Sequence, residues 1–113
     1  MPPKKGRKFE VDVQELHKKV IEDLRWTVDD HKLTYGCQLT RSELGNLDSF
    51  MSYINREGVH PKKASEELGD MKYTVLSDKT GQCEIRLSGK NRASFIRVDE
   101  TRTVEMRQAG GHV

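Results

Sequence analysis

Two arginines flank a short turn near the end of this chain, in EIRLSGKNRASFIRV, and a histidine stands one residue from the last position. Arg86 closes one stretch of alternating residues and Arg92 opens the next. Gly89, Lys90 and Asn91 lie between them, and Gly and Asn tolerate the positive φ that a hairpin needs. A hairpin here brings Arg86 and Arg92 to facing strands. Guanidiniums that close repel each other, and an anion between them, most simply a phosphate, removes the repulsion. Metal-free cleavage of RNA needs a base for the 2′-hydroxyl, cations for the charged phosphorane and an acid for the leaving 5′-oxygen. Glu84 supplies a candidate base, Arg86 and Arg92 the clamp, and His112 the acid, because histidine titrates near neutrality. Lys62, Lys63, Lys90 and Arg107 are candidate RNA contacts. Lys62 and Lys63 open a helix, the unfavourable end for cations if the dipole alone mattered. Each of these charges also suits a solvated surface.

The elements that must position these residues follow from periodicity. Asp12 with Glu15 fits a capping box, and Val13, Leu16, Val20 and Leu24 form one stripe of a helix expected to run to about Trp26. His31–Leu39 has no clear period and holds either a short strand, KLTYGCQL, or a loop, with the loop preferred. Thr40 with Glu43 is a second capping box, followed by Leu44, Leu47, Met51 and Ile54 at helical spacing, with Gly58 as the stop. Pro61–Leu68 fits two further helical turns ended by Gly69. The pattern then becomes β: Met71–Leu76, a turn at Asp78–Gly81, Gln82–Leu87, Arg92–Val98, a turn at Asp99–Thr101 and Arg102–Arg107. Cys83, Ile85, Leu87, Val104 and Met106 are expected inward. Glu84, Arg86, Glu105 and Arg107 are expected outward, and Ala109–Val113 as a flexible end. The expected architecture is α+β, with two N-terminal helices packed on one face of a small, mostly antiparallel four-stranded sheet.

At 113 residues the chain has room for one domain, 9–113, behind a basic arm at 1–8. The net charge is +2, but the arm holds Lys4, Lys5, Arg7 and Lys8, so the remainder carries a net −2 and an anion site must come from local arrangement. Such an arm also suits contact with nucleic-acid backbone or an import signal. Cys37 and Cys83 lack the spacing of a zinc or redox pair and read as buried thiols. The four histidines are scattered, no metal-ligand spacing occurs, and no glycine-rich nucleotide loop is present, so neither metal nor cofactor is expected. No apolar run has the length to span a bilayer and no signal-peptide core occurs, which places the protein in the cytoplasm without a membrane partner.

The run EIRLSGKNRASFIRVDETRTVEMRQAGGHV resembles the C-terminal half of the RelE, YoeB and HigB toxins, messenger-RNA endonucleases of bacterial toxin–antitoxin systems. In that group a strand ending in Arg, a short turn, a second Arg opening an apolar strand and a terminal histidine recur; Arg86, Arg92 and His112 hold those places. ELGDMKYTV is similar to the family's lead-in to the sheet. Val113 stands where many members carry tyrosine. Glu84 and Gln82 stand where some carry lysines, so a carboxylate base, as in the wider barnase, EndoU and colicin nuclease group, fits better than a lysine base. The resemblance implies an endoribonuclease acting on messenger or transfer RNA, on the ribosome or free, held in check by an antitoxin or immunity protein. The alternative it implies is a non-catalytic module of the RelE/ParE fold that acts by binding protein or nucleic acid.

Overall fold

A computed structural model describes residues 24–111. The basic arm, the helix expected from Asp12 and His112 lie outside the described residues, apart from the expected end of that helix. There the helix does not reach Trp26. Leu24 is in a turn, Arg25 and Trp26 belong to no helix or strand, and Thr27–Asp29 forms a first strand, β1. A two-residue strand, β2 (Thr34–Tyr35), follows. Helices α1 (Arg41–Glu57) and α2 (Pro61–Glu67) come next, then β3 (Thr74–Ser77), β4 (Gln82–Arg86), β5 (Arg92–Val98) and β6 (Thr103–Ala109).

The α+β class and the antiparallel meander hold, but the sheet has six strands where the sequence suggests four. Its order is β1-β6-β5-β4-β3, with β2 also on β6, and both β1 and β2 run parallel to β6. Two or three residues are too few to show an alternating pattern, so these strands exist only because β6 offers them a free edge. The two described helices therefore follow two strands and are not N-terminal.

Helix α1 begins as its sequence dictates. Thr40 Oγ1 accepts from Glu43 N–H at 3.1 Å and a Glu43 carboxylate oxygen accepts from Thr40 N–H at 2.8 Å. Gly58 ends it at φ +65°. The buried stripe is Leu47, Phe50 and Ile54; Leu44 is 43% exposed, so the apolar face is turned slightly from the expected one. Arg25 donates to the carbonyls of Asn55 and Arg56, and Val28 N–H donates to Asn55 Oδ1, which ties β1 to the last turn of α1. Phe50 and Phe95 lie 5.6 Å apart at the centre of the core, where α1 meets the inner sheet face of Cys83, Ile85, Val104 and Met106. Cys83 is buried as expected, whereas Cys37 is exposed.

Candidate functional site

The hairpin forms with the expected register: Arg86 pairs directly with Arg92, and Glu84 with Ser94. Arg86 N–H goes to the Met71 carbonyl and the Arg92 carbonyl takes Gly110 N–H, so neither residue spends these groups on the other. This is the non-hydrogen-bonded kind of antiparallel pair, in which side chains stand closest. The turn is built differently from expectation. Gly89, Lys90 and Asn91 do not take positive φ. Instead Ser88 Oγ accepts from the N–H groups of Lys90 and Asn91, and Leu87 N–H and Ser88 N–H both donate to the Asn91 carbonyl.

A buried network fixes this turn to α1. One oxygen of Glu43 caps its own helix; the other accepts from Ser88 Oγ at 2.5 Å and from Asn91 Nδ2 at 2.8 Å. The Ser88 hydroxyl, the Thr40 N–H and the Asn91 amide together hold the Glu43 carboxyl at about 2, far below the usual value. Asn46 adds a bond from Nδ2 to the Leu87 carbonyl. The capping box is readable in the sequence, but nothing local shows that Glu43 also reaches a turn 45 residues away.

Outside the turn the two arginines differ. Arg92 donates to a Glu84 carboxylate oxygen at 3.0 Å, and the Glu84 side chain is only 10% exposed. Among the described residues no acceptor meets the guanidinium of Arg86, which is exposed. Arg107 sits in the bulge where Ser94 pairs with Gln108 and Phe95 with Met106; it is bonded to Glu105 at 3.1 Å, while its Nε is buried without a partner. Alternation along the strands puts Glu84, Arg92 and Arg107 on the sheet face opposite the buried Ile85, Ala93 and Met106, and Arg86, the last residue of β4, borders a cleft beside α1. Lys90 stands exposed at the tip of the turn. Lys62 and Lys63 do not join them: they lie in the first turn of α2, Lys63 near Glu67, and the opposite end of that helix approaches Arg86.

The described part of the expected flexible end, Ala109–Gly111, is not a loose segment. Ala109 is fully buried in β6, Gly110 N–H bonds the Arg92 carbonyl at 2.7 Å, and Gly111 N–H bonds Asn91 Oδ1 at 3.2 Å. Gly110 has φ +87°, and a Cβ there would lie 2.8 Å from Cys37 Sγ. The backbone therefore passes beside the first residue of β5 up to the last described residue. His112 lies outside the described residues.

A second polar group escaped sequence reading. Arg97 points to the helix side, donating to Tyr73 Oη at 2.9 Å and to Asp99 at 2.9 Å. Burial pushes the Tyr73 hydroxyl up to about 12 and raises the Cys83 thiol beside it. The His60 ring packs between Trp26 and Tyr73, and its Nδ1 accepts from Lys62 N–H at 3.0 Å. Among the described residues no group of His, Cys, Asp and Glu could hold a metal ion, and no helix is long and apolar enough to cross a membrane. No protein-family model and no curated protein matches this chain.

Proposed function

We propose that this chain is a metal-independent endoribonuclease of the RelE-like kind. The observation that carries the reading is the Arg86–Arg92 pair, two arginines at partner positions on facing strands, with Glu84 bonded to Arg92. A phosphodiester bridging the arginines relieves their repulsion and stands next to the carboxylate. Glu84 takes the 2′-hydroxyl proton as O2′ bonds phosphorus; Arg86 and Arg92 stabilise the dianionic phosphorane; His112 protonates O5′ as the P–O5′ bond breaks. The products are a 2′,3′-cyclic phosphate, opened by water to a 3′-phosphate, and a free 5′-hydroxyl. His112 follows directly on Gly111, whose N–H is tied to Asn91, the residue before Arg92. Lys90 and the partly exposed Arg107 add to the cationic surface near the pair. Messenger or transfer RNA is the substrate, in the cytoplasm, and a neutralising protein covers the arginines in the producing cell.

The test is incubation of the purified protein with total RNA in EDTA, with and without ribosomes, read on a gel. Cleavage that Arg92→Ala and His112→Ala each abolish supports the proposal. Intact RNA in both conditions overturns it. One observation favours a second reading, a non-catalytic binding module on the same fold. Glu84 is buried and already bonded to Arg92, whereas a base must meet its substrate. On that reading RNA or a protein partner is bound and leaves unchanged.

A further inference from the structure

A cleft of about 390 Å³ opens at the Arg86 end of the hairpin, between α1, the bend after α2 and the β4–β5 turn. Its volume falls in the range of small-molecule sites, roughly 300–1,000 Å³. Asn46, Ser49, Leu68, Lys72, Arg86 and Gly89 line it. The geometry points to this cleft as the subsite for one nucleobase of the RNA, that of the nucleotide whose phosphate lies on Arg86 and Arg92. The assignment rests on the reading that those arginines hold an RNA phosphate.

Charge places the phosphate at one end. Lys72 Nζ is bonded to Asp70 at 3.2 Å, so these two rim charges compensate each other. Among the described residues Arg86 is then the cation of the cleft without an acidic partner, and it is also one half of the arginine pair. The other end suits a neutral, flat body. Leu68 and Leu87 supply apolar surface, and Asn46 and Ser49 supply polar edges. Asn46 has spent Nδ2 on the Leu87 carbonyl at 2.7 Å, which leaves Oδ1 as an acceptor for the exocyclic amino group of a base such as cytosine.

The shape of the cleft is set by backbone that local preference opposes. Gly69, Asp70 and Lys72 take φ of +91°, +63° and +59°. Left-handed backbone is unfavourable for a non-glycine residue. The bend is held by Asp70 N–H on the Ser65 carbonyl at 2.9 Å, Met71 N–H on Ser65 Oγ at 3.0 Å, and Arg86 N–H on the Met71 carbonyl at 2.7 Å. The last bond fixes the cleft wall to the backbone of the arginine that carries the phosphate.

Titration of the ¹⁵N-labelled full chain with 3′-CMP, 3′-UMP and inorganic phosphate tests the assignment. Phosphate alone should shift the Arg86 and Arg92 amides. Addition of 3′-CMP should also shift Ser49, Gly69 and Lys72, and bind about tenfold more tightly than phosphate, with 3′-UMP weaker than 3′-CMP. A Cβ at Gly89 would meet nothing within 4 Å and needs no left-handed backbone, and Ser49 is exposed on the facing wall. Gly89→Phe and Ser49→Phe therefore plug the cleft from opposite sides without entering the core. Each should abolish the advantage of 3′-CMP over phosphate while phosphate binding persists. Equal affinity for 3′-CMP and phosphate, or unchanged 3′-CMP affinity in both plugged and folded variants, overturns the subsite. If 3′-CMP occupies the cleft but RNA stays intact, the nuclease reading falls and the nucleotide site stands. If the plugged variants cut RNA with the same base preference as the parent, the subsite falls and the nuclease reading stands.

Discussion

The two facing arginines should have opposite effects on stability when removed, although both removals should strongly reduce RNA cleavage. Arg92→Ala strips the partner from a carboxylate that is 10% exposed. Breaking a fully buried pair costs about 3–5 kcal/mol, but the Arg92 side chain is 46% exposed, so solvent screens this pair and about 1–2 kcal/mol is expected. With a urea m-value of about 1–3 kcal/mol/M, the unfolding midpoint should fall by roughly 0.5–1 M. Arg86→Ala removes a like charge from a close cross-strand pair. At roughly 5 Å in water-like surroundings that repulsion is about 0.8 kcal/mol, so the midpoint should stay level or rise slightly. The double variant Arg92→Ala, Glu84→Gln should recover most of the lost stability, because no charge is then left buried. Cleavage should drop by about 10²–10³ for either single arginine variant, the usual consequence of losing one donor to a developing oxyanion. Equal destabilisation by both single variants, or no recovery on adding Glu84→Gln, would refute the asymmetry and with it the assignment of Glu84 as a carboxylate held by Arg92.

Acid should loosen the turn first through Glu43. Its carboxyl is held at about 2 in the folded chain, so its stabilising effect is complete above the usual value of 4.5 and lost as pH falls from there towards 2. Urea midpoints between pH 5 and 2.5 should decline more steeply in the parent than in Glu43→Gln. A separate limb belongs to His60, whose imidazole is pushed below its usual 6.5 by burial and then by the charge of Arg97. The unfolded chain binds that proton more readily, so stability should fall as pH drops below 6.5; His60→Asn, which keeps a helix-capping acceptor, should flatten the profile between pH 7.5 and 5.5. Gly81→Ala should destabilise, since the Cβ would lie 2.5 Å from the Arg97 carbonyl at φ +78°; a midpoint unchanged within error would contradict it. If RNA is bound at Arg86, Arg92 and Arg107, the salt slope of log K should shrink by about 0.7 for each arginine replaced by alanine, measured by fluorescence anisotropy with a non-cleavable strand.

Periodicity alone determined much of this protein. The Thr40–Glu43 box and Gly58 bound α1, alternation from Gln82 to Leu87 chose which side of β4 enters the core, and the Arg-x₅-Arg spacing across one turn brought Arg86 opposite Arg92. These are short-range properties, written within one or two turns of chain. Tertiary structure decided what depends on partners distant in sequence. The parallel strands β1 and β2 are too short to carry a pattern and form only against β6. The turn at Gly89 avoids positive φ because Ser88 and Glu43 satisfy its N–H groups and side chains from across the fold. Lys62 and Lys63, named as candidate RNA contacts, lie in the first turn of α2, whose other end approaches Arg86. Ala109 to Gly111 are pinned because the Arg92 carbonyl and Asn91 amide need their N–H groups, or offer acceptors to them, at the base of the hairpin. A cleft beside Arg86 exists because a strained bend is held by bonds to Ser65 and Arg86, contacts that no local run of residues encodes.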